Sequence, residues 1–256
     1  GPALLLLHGI FVDQGEWDRI VPRLRSHFRC IRLDLPGFGD SGKPEPGRFA
    51  YDVQAFSTLV ADFVAAIGLG AYHLCGHSMG GAIALHVASQ QPNEVQSLTL
   101  IDPLALPYTP PWTAQLATLP GLGEPIFRHL FRWPVFAHYF RSEVFHNVDH
   151  IDWSAIRRYY RNFDSGAGRA AAYAAMRSIV TPQPAAAWAA DVKVPTLLLW
   201  GEYDRIFPLR LGYALQRILP QARIEIAADV GHSPAQEDPA WTATQLLAHH
   251  GPSALN

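Results

Sequence analysis

The chain is poor in cysteine, with only Cys30 and Cys75 among its 256 residues, and both lie inside apolar runs. This usage predicts two buried free thiols and excludes a disulfide framework or a CxxC motif. The chain also has no apolar run near the ~18 residues that a membrane helix needs, and neither end resembles a signal peptide. We therefore expect no membrane span and a cytoplasmic protein.

The chain also has no large excess of positive or negative charge. Lysine and arginine together number 20 and aspartate and glutamate 22, for a formal net charge of -2. Such a balance provides no attraction to nucleic acid or to an anionic membrane surface. With 49% apolar and 16% charged residues, the composition is that of a globular protein with a sizeable core.

What the sequence does contain is a regular alternation of two patterns. Short apolar runs, expected as strands, occupy Ala3–Leu7, Cys30–Leu35, Tyr72–Cys75, Leu98–Ile101, Thr196–Trp200 and Arg223–Ala227. Helical spacing of apolar residues occupies Glu16–Ser26, Val53–Ile67, Gly80–Gln90, Pro208–Leu219 and Pro239–His249. The alternation predicts an α/β fold, with a mostly parallel twisted sheet flanked by helices.

One long segment, Pro103 to Val192, shows no strand pattern. It opens on a proline-rich loop (Pro103, Pro107, Pro110, Pro111) and carries many aromatic residues, including Trp112, Phe127, Phe131, Phe136, Phe140 and Phe163. So long an insertion is usually functional. We expect a core domain in two parts, residues 1–102 and 193–256, with a helical cap or lid at 103–192 inserted after the strand that ends near Asp102. A structural helical subdomain is the alternative.

The stretch CGHSMGGA, residues 75–82, follows a predicted strand and precedes an alanine-rich helix. A serine on so sharp a turn takes a positive φ, and side chains two residues before and after it would clash. Gly76 and Gly80 remove those side chains. The pattern therefore predicts that Ser78 is an exposed nucleophile on a strained turn.

A serine hydroxyl needs a base, and the base needs an orienting acid. His232 follows the last predicted strand, on the sheet edge where ligands bind in open α/β folds. Asp204 follows the strand Thr196–Trp200 and is the favoured acid, with Asp102 as the competing candidate. We predict a catalytic triad of Ser78, Asp204 and His232.

Negative charge that develops on a substrate carbonyl oxygen also needs two backbone N–H donors, an oxyanion hole. Met79, directly after the predicted nucleophile, is one candidate. The second donor is expected on the loop that follows His8 and Gly9, from Ile10 or from Phe11.

Other motifs predict no further chemistry. No histidine spacing matches a zinc motif such as HExxH, and PGFGDSG matches no nucleotide-binding loop, so we expect neither metal nor cofactor. His77 and His8 are expected to support neighbouring loops. Six arginines of the insertion are expected on a solvated face, although one of them could clamp a substrate carboxylate: Arg128, Arg132, Arg141, Arg157, Arg158 and Arg161.

Taken together, LLLLHG, LDLPGFGDSG, GHSMGG, LLLWGEYDRIFP and DVGHSPAQEDP resemble the α/β-hydrolase fold superfamily. The resemblance implies a Ser–His–Asp triad with an acyl-enzyme intermediate. Members usually begin with a hairpin before the strand equivalent to Ala3–Leu7, so we expect a truncated chain or a shortened sheet edge.

The expected function is a carboxylic ester hydrolase for small to medium apolar esters, similar to esterases and lipases. A carbon–carbon bond hydrolase of ring-cleavage products is the first alternative. It would need a cationic residue of the insertion near Ser78. A ligand-binding receptor on the same fold is the second.

Overall fold

The computed structural model describes residues 1–107, 119, 121–180 and 185–251. Its strands are β1 (Ala3–Leu7), β2 (Arg29–Leu33), β3 (Tyr72–His77), β4 (Val95–Ile101), β5 (Thr196–Gly201) and β6 (Ala222–Ala227). They form one six-stranded sheet in the order β2-β1-β3-β4-β5-β6, and each neighbouring pair is parallel. The predicted α/β class with a parallel sheet is confirmed.

The inner strands are apolar because helices cover both faces of the sheet. All residues of β1, β3 and β5 are buried, as expected for central parallel strands. Their side chains alternate between two apolar clusters, so that Leu5 and Leu7 pack on one face while Leu4 and Leu6 pack on the other. Burial of this apolar area is the main favourable contribution to folding.

The helices that flank the sheet are α1 (Val21–Leu24), α2 (Val53–Ala66), α3 (Met79–Gln90), α9 (Arg210–Ile218), α10 (Pro234–Glu237) and α11 (Pro239–His250). Side-chain caps begin two of them. Asp52 accepts the N–H of Ala55 at the start of α2, and Asp238 accepts the N–H of Trp241 at the start of α11. These bonds satisfy N–H groups that have no partner inside the helix.

The structure differs from expectation between β1 and β2. The predicted helix Glu16–Ser26 is instead a 3-10 turn at Gln14–Trp17 followed by the short α1. Pro22 explains the break, since proline lacks an N–H and fits only the first turn of a helix. Both cysteines are free, but Cys75 is buried while Cys30 is only half-buried.

Between β4 and β5 the described chain is helical. It contains α4 (Gly123–Leu130), α5 (Trp133–Tyr139), a π-helical turn (Phe140–Val144), a 3-10 turn (Val148–His150), α6 (Trp153–Phe163), α7 (Gly166–Val180) and α8 (Ala185–Asp191). Pro110, Pro111 and Trp112 lie outside the described residues. Among the described helices, none is both long and apolar enough to cross a membrane.

Candidate active site

Ser78 occupies the turn between β3 and α3, with φ 53° and ψ -115°. Its N–H donates to the carbonyl of Ile101, 2.9 Å away, which fixes the turn to β4. A Cβ at Gly76 would lie 2.2 Å from the carbonyl oxygen of Gly80, and one at Gly80 would lie 2.3 Å from that of Leu7. Both positions therefore exclude any side chain, and the close packing leaves Ser78 in a strained conformation.

His232 and Asp204 are brought together by the loops after β6 and β5. The Nδ1 of His232 lies 2.7 Å from Oδ2 of Asp204, and both side chains are buried. The other carboxylate oxygen, Oδ1, accepts the N–H groups of Ile206 at 2.7 Å and Phe207 at 2.9 Å. Because three donors converge on the Asp204 carboxylate, its position and that of the imidazole are tightly defined.

The imidazole of His232 and the side chain of Ser78 line one small cavity. Its walls also include Ile10, Val12, Glu16, His77, Tyr139, Phe140, Val144, Ser233 and Gln236. The cavity measures about 20 Å³, which is room for roughly one water molecule. Within residues 1–107, 121–180 and 185–251, its lining includes neither arginine nor lysine.

Asp102, the competing acid, lies directly after β4 and is fully buried, with φ 41°. Its Oδ1 accepts the N–H of Gly201 at 3.0 Å, while His232 is hydrogen-bonded by Asp204. Burial, together with the negative charge of Asp204, raises the pKa of Asp102 well above its usual value. The structure thus contains two neighbouring buried carboxyl groups, and of these Asp204 is the one that bonds His232.

The candidate oxyanion donors lie on either side of Ser78. Met79 is the first residue of α3, so its N–H has no acceptor inside the helix. On the loop after β1, Ile10 lines the cavity. Phe11 has φ 65°, and its ring packs against aromatic residues of the insertion, among them Phe131 and Tyr139. A Cβ on Gly9 would lie 3.3 Å from Cβ of Ser78, so this loop packs closely on the turn.

Sequence reasoning missed two buried carboxylates beside these groups. Glu16 lies 2.7 Å from the Nδ1 of His77 and lines the cavity. Glu237 accepts the N–H of Gly231 on one oxygen at 2.8 Å and those of His146 and Asn147 on the other at 2.8 and 3.1 Å. It therefore ties the loop before His232 to the insertion. No local pattern marks either residue, since both resemble ordinary charged positions of a surface turn.

The two supporting histidines lie where they were expected to act. His8 accepts the N–H of Leu35 on Nε2 at 3.0 Å, and its Nδ1 lies 2.7 Å from the carbonyl of Gly9. Among the described residues, one group has metal-ligand spacing: atoms of His77, Asp102 and His232 lie within 4.8 Å of one another. Within this group, Nε2 of His77 and Nδ1 of His232 are hydrogen-bonded to oxygen atoms of the protein, and Nδ1 of His77 makes an ion-pair contact with Glu16.

Comparisons with known proteins identify the family of the chain. The family model described as alpha/beta hydrolase fold matches residues 2–239. Lipase 3 of Moraxella sp. (strain TA144) is 29% identical over 252 residues, covering 97% of this chain and 77% of the lipase.

Two solved structures are also similar. A membrane phospholipase A, described as a bacterial virulence factor, is 32% identical with a TM-score of 0.76, over 97% of this chain and 78% of that one. The 2-hydroxy-6-oxo-6-phenylhexa-2,4-dienoate hydrolase of Rhodococcus sp. strain RHA1 has a TM-score of 0.83 at 21% identity, over 98% of this chain and 90% of that one. The second likeness is one of fold.

Proposed function

Because the chain belongs to the alpha/beta hydrolase fold family, we propose that it is a carboxylic ester hydrolase acting on small to medium apolar esters through Ser78, His232 and Asp204. The protein is a hydrolase of the esterase-like kind. The observation that carries the finer proposal is the buried pair His232–Asp204, whose histidine lines the same cavity as Ser78, a serine with positive φ.

In the proposed reaction, Oγ of Ser78 attacks the ester carbonyl while Nε2 of His232 takes its proton. That nitrogen is the one free for the task, because Nδ1 donates to Asp204. The imidazolium then donates this proton to the departing alkoxide. The acyl group stays bonded to Oγ of Ser78 as an acyl-enzyme. A water molecule, activated by the same nitrogen, releases the acid and restores Ser78.

The carbonyl oxygen becomes negatively charged in each tetrahedral intermediate. We assign its stabilisation to the N–H groups of Met79 and Ile10, since Met79 begins α3 and Ile10 lines the cavity. In a comparable hydrolase, removal of one such donor costs about 10² to 10³ in rate. The positive end of the α3 dipole supports the same charge.

The walls of the cavity support the proposed substrate class. Phe140 and Val144 come from the insertion and are apolar, and Tyr139 adds an aromatic ring. These contacts also support the proposal that residues 103–192 act as a cap over a core formed by 1–102 and 193–256. The lipase and phospholipase relatives act on esters by name, in keeping with this class.

The experiment that tests the proposal compares two substrate types. We expect p-nitrophenyl esters of short and medium acyl chains to turn over, with a kcat/KM that passes through a maximum as the chain lengthens. A vinylogous 1,5-diketone acid should be poor, because its carboxylate would meet no cation in the described lining. Faster cleavage of the diketone acid would favour the carbon–carbon hydrolase. Tight ligand binding without turnover of either substrate would favour a receptor.

A further inference from the structure

Two titratable side chains, Glu16 and His77, are buried between the 3-10 turn after β1 and the end of β3. Glu16 is 2% exposed and lies on the 3-10 turn after β1, and His77 is 5% exposed and ends β3 beside Ser78. Burial of a charge costs free energy unless a partner charge and hydrogen bonds offset it. The contacts of Glu16 and His77 show how that cost is met.

Both ring nitrogens of His77 lie close to oxygen atoms that only accept, and Nδ1 meets Oε1 of Glu16 at ion-pair distance rather than along a well-aligned hydrogen bond. Nδ1 lies 2.7 Å from Oε1 of Glu16, and Nε2 lies 2.6 Å from the main-chain carbonyl oxygen of His232. A neutral imidazole carries one N–H, whereas the imidazolium carries two. The geometry therefore favours a charged His77 paired with a charged Glu16.

The second oxygen of Glu16 reaches the other side of the site. Oε2 accepts the N–H of Gly9 at 3.1 Å, on the loop that continues to Ile10. A Cβ on Gly9 would lie 3.0 Å from Nδ1 of His77, so the loop has little freedom to shift. The pair thus contacts the loop before Ile10 through Glu16 and the loop of His232 through His77.

We propose that Glu16 and His77 are positioning residues, an ion pair that holds the loop of His232 and the loop of Ile10 in register around Ser78. The inference rests on the proposed function, which assigns those loops to the base and to an oxyanion donor. Neither residue touches the reacting atoms in this account. His77 acts through the main-chain carbonyl of His232, and Glu16 acts through the N–H of Gly9, the residue before Ile10.

The charges of the pair reinforce each other. Burial alone would lower the pKa of His77, but the negative charge and hydrogen bond of Glu16 outweigh it and raise that pKa. Burial alone would raise the pKa of Glu16, but the positive charge of His77 lowers it. The titratable groups around the pair are His8, Cys75, Asp102, Tyr159, Asp204 and His232.

A first experiment reads the protonation of His77 without using activity. The full chain, labelled with ¹⁵N at histidine, is examined by NMR near pH 7, and the His77 signals are assigned by their loss in His77→Gln. We expect two protonated ring nitrogens in the unaltered chain and one in Glu16→Gln. A single protonated nitrogen in the unaltered chain would overturn the proposal.

A second experiment measures ester hydrolysis. His77→Leu removes both N–H donors, so kcat should fall while KM changes little. The expected loss is about 10- to 100-fold, which corresponds to the free energy of one hydrogen bond to a charged group. His77→Gln should recover most of this loss, because its amide can still donate to the carbonyl of His232. Asp18→Asn, an exposed carboxylate on the same segment, is the control and should match the unaltered enzyme.

Failure of the inference is separable from failure of the proposed function. If the unaltered chain neither hydrolyses esters nor labels with a fluorophosphonate, the proposed function is wrong. If labelling is normal and folded His77→Leu keeps its kcat, the positioning role is wrong. Should His77→Leu not fold, the NMR result on the unaltered chain decides.

Discussion

Two regions meet at Ser78, and different forces hold them. On the sheet side, directional hydrogen bonds fix the Asp204 carboxylate, on which three donors converge. On the insertion side, aromatic rings pack on one another in stacked and edge-to-face contacts. The ring of Phe11 has its centroid 5.2 to 6.4 Å from those of five others: Phe127, Phe131, Phe136, Tyr139 and Phe163.

This difference predicts that substitutions in the two regions change different kinetic properties. A hydrogen bond weakens steeply with a change in angle or distance, so a substitution at the sheet edge should change the rate of reaction. Aromatic packing depends on area and volume, so a substitution in the insertion should change which substrates fit. Under the proposed function, the sheet edge would provide the chemistry and the insertion would select the substrate.

The largest expected effect comes from the nucleophile. Ser78→Ala should lower kcat by about 10⁴-fold or more, because no acyl-enzyme can form. It should also abolish labelling by a fluorophosphonate, which is measured by mass spectrometry of the intact chain. Ser89→Ala, in the same helix α3, is the matched control and should retain both. Labelling that persists in Ser78→Ala would refute the assignment.

Next in size is the contrast between the two acids. Asp204→Asn should lower kcat by about 10² to 10⁴-fold, since the imidazole loses its orienting carboxylate. Asp102→Asn should have a much smaller effect, because Asp204 rather than Asp102 bonds His232, and an asparagine oxygen can still accept the N–H of Gly201. Steady-state kinetics on one ester measures both. A larger loss in Asp102→Asn would instead identify Asp102, directly after β4, as the orienting acid.

A smaller effect is expected on the insertion side. Phe140→Ala enlarges the cavity and should raise kcat/KM for longer acyl chains relative to short ones. The expected change is about 10-fold, the discrimination that one methylene group gives in an apolar pocket. Phe163→Ala, buried among the same rings but outside the described lining, is the control. Both variants should lose about 3–5 kcal/mol of stability. An unchanged chain-length profile in Phe140→Ala would contradict the selection role.

The smallest effect on activity is expected from a second polar network, toward the opposite end of β3 from Ser78. Ser97 Oγ lies 2.7 Å from Nδ1 of His73 and 2.6 Å from Nδ1 of His250, and His249 contacts the carbonyl of Leu98 at 3.0 Å. Burial lowers the pKa of His73 and His250, and it lowers that of His249 to about 4.

The sign of the resulting pH effect follows from linkage. Between the folded pKa values and about 6.5, the unfolded chain binds protons that the folded chain does not, so stability should fall as pH falls through that window. Urea unfolding at a series of pH values measures the slope. His250→Gln should flatten it, and the exposed His27→Gln should not. Equal slopes in the two variants would contradict the assignment.

Much of the fold could be predicted because its signals are local. The apolar runs of β1 and β5 fall within one residue of the observed strands, and the cap of α2 follows directly from Asp52. The helix expected at Glu16–Ser26 could not be predicted correctly from apolar spacing alone, because Pro22 breaks a pattern that otherwise fits.

The same distinction between local and long-range signals applies to the candidate site. The sequence alone determined the α/β class and the turn at Ser78, since steric demands of a strand, a glycine or a helix cap act over a few residues. Only the tertiary structure decided that Asp204 rather than Asp102 bonds His232, and that Glu16 is buried against His77. The contact between His77 and His232 joins residues 155 apart, and no local pattern encodes such a distance in the chain.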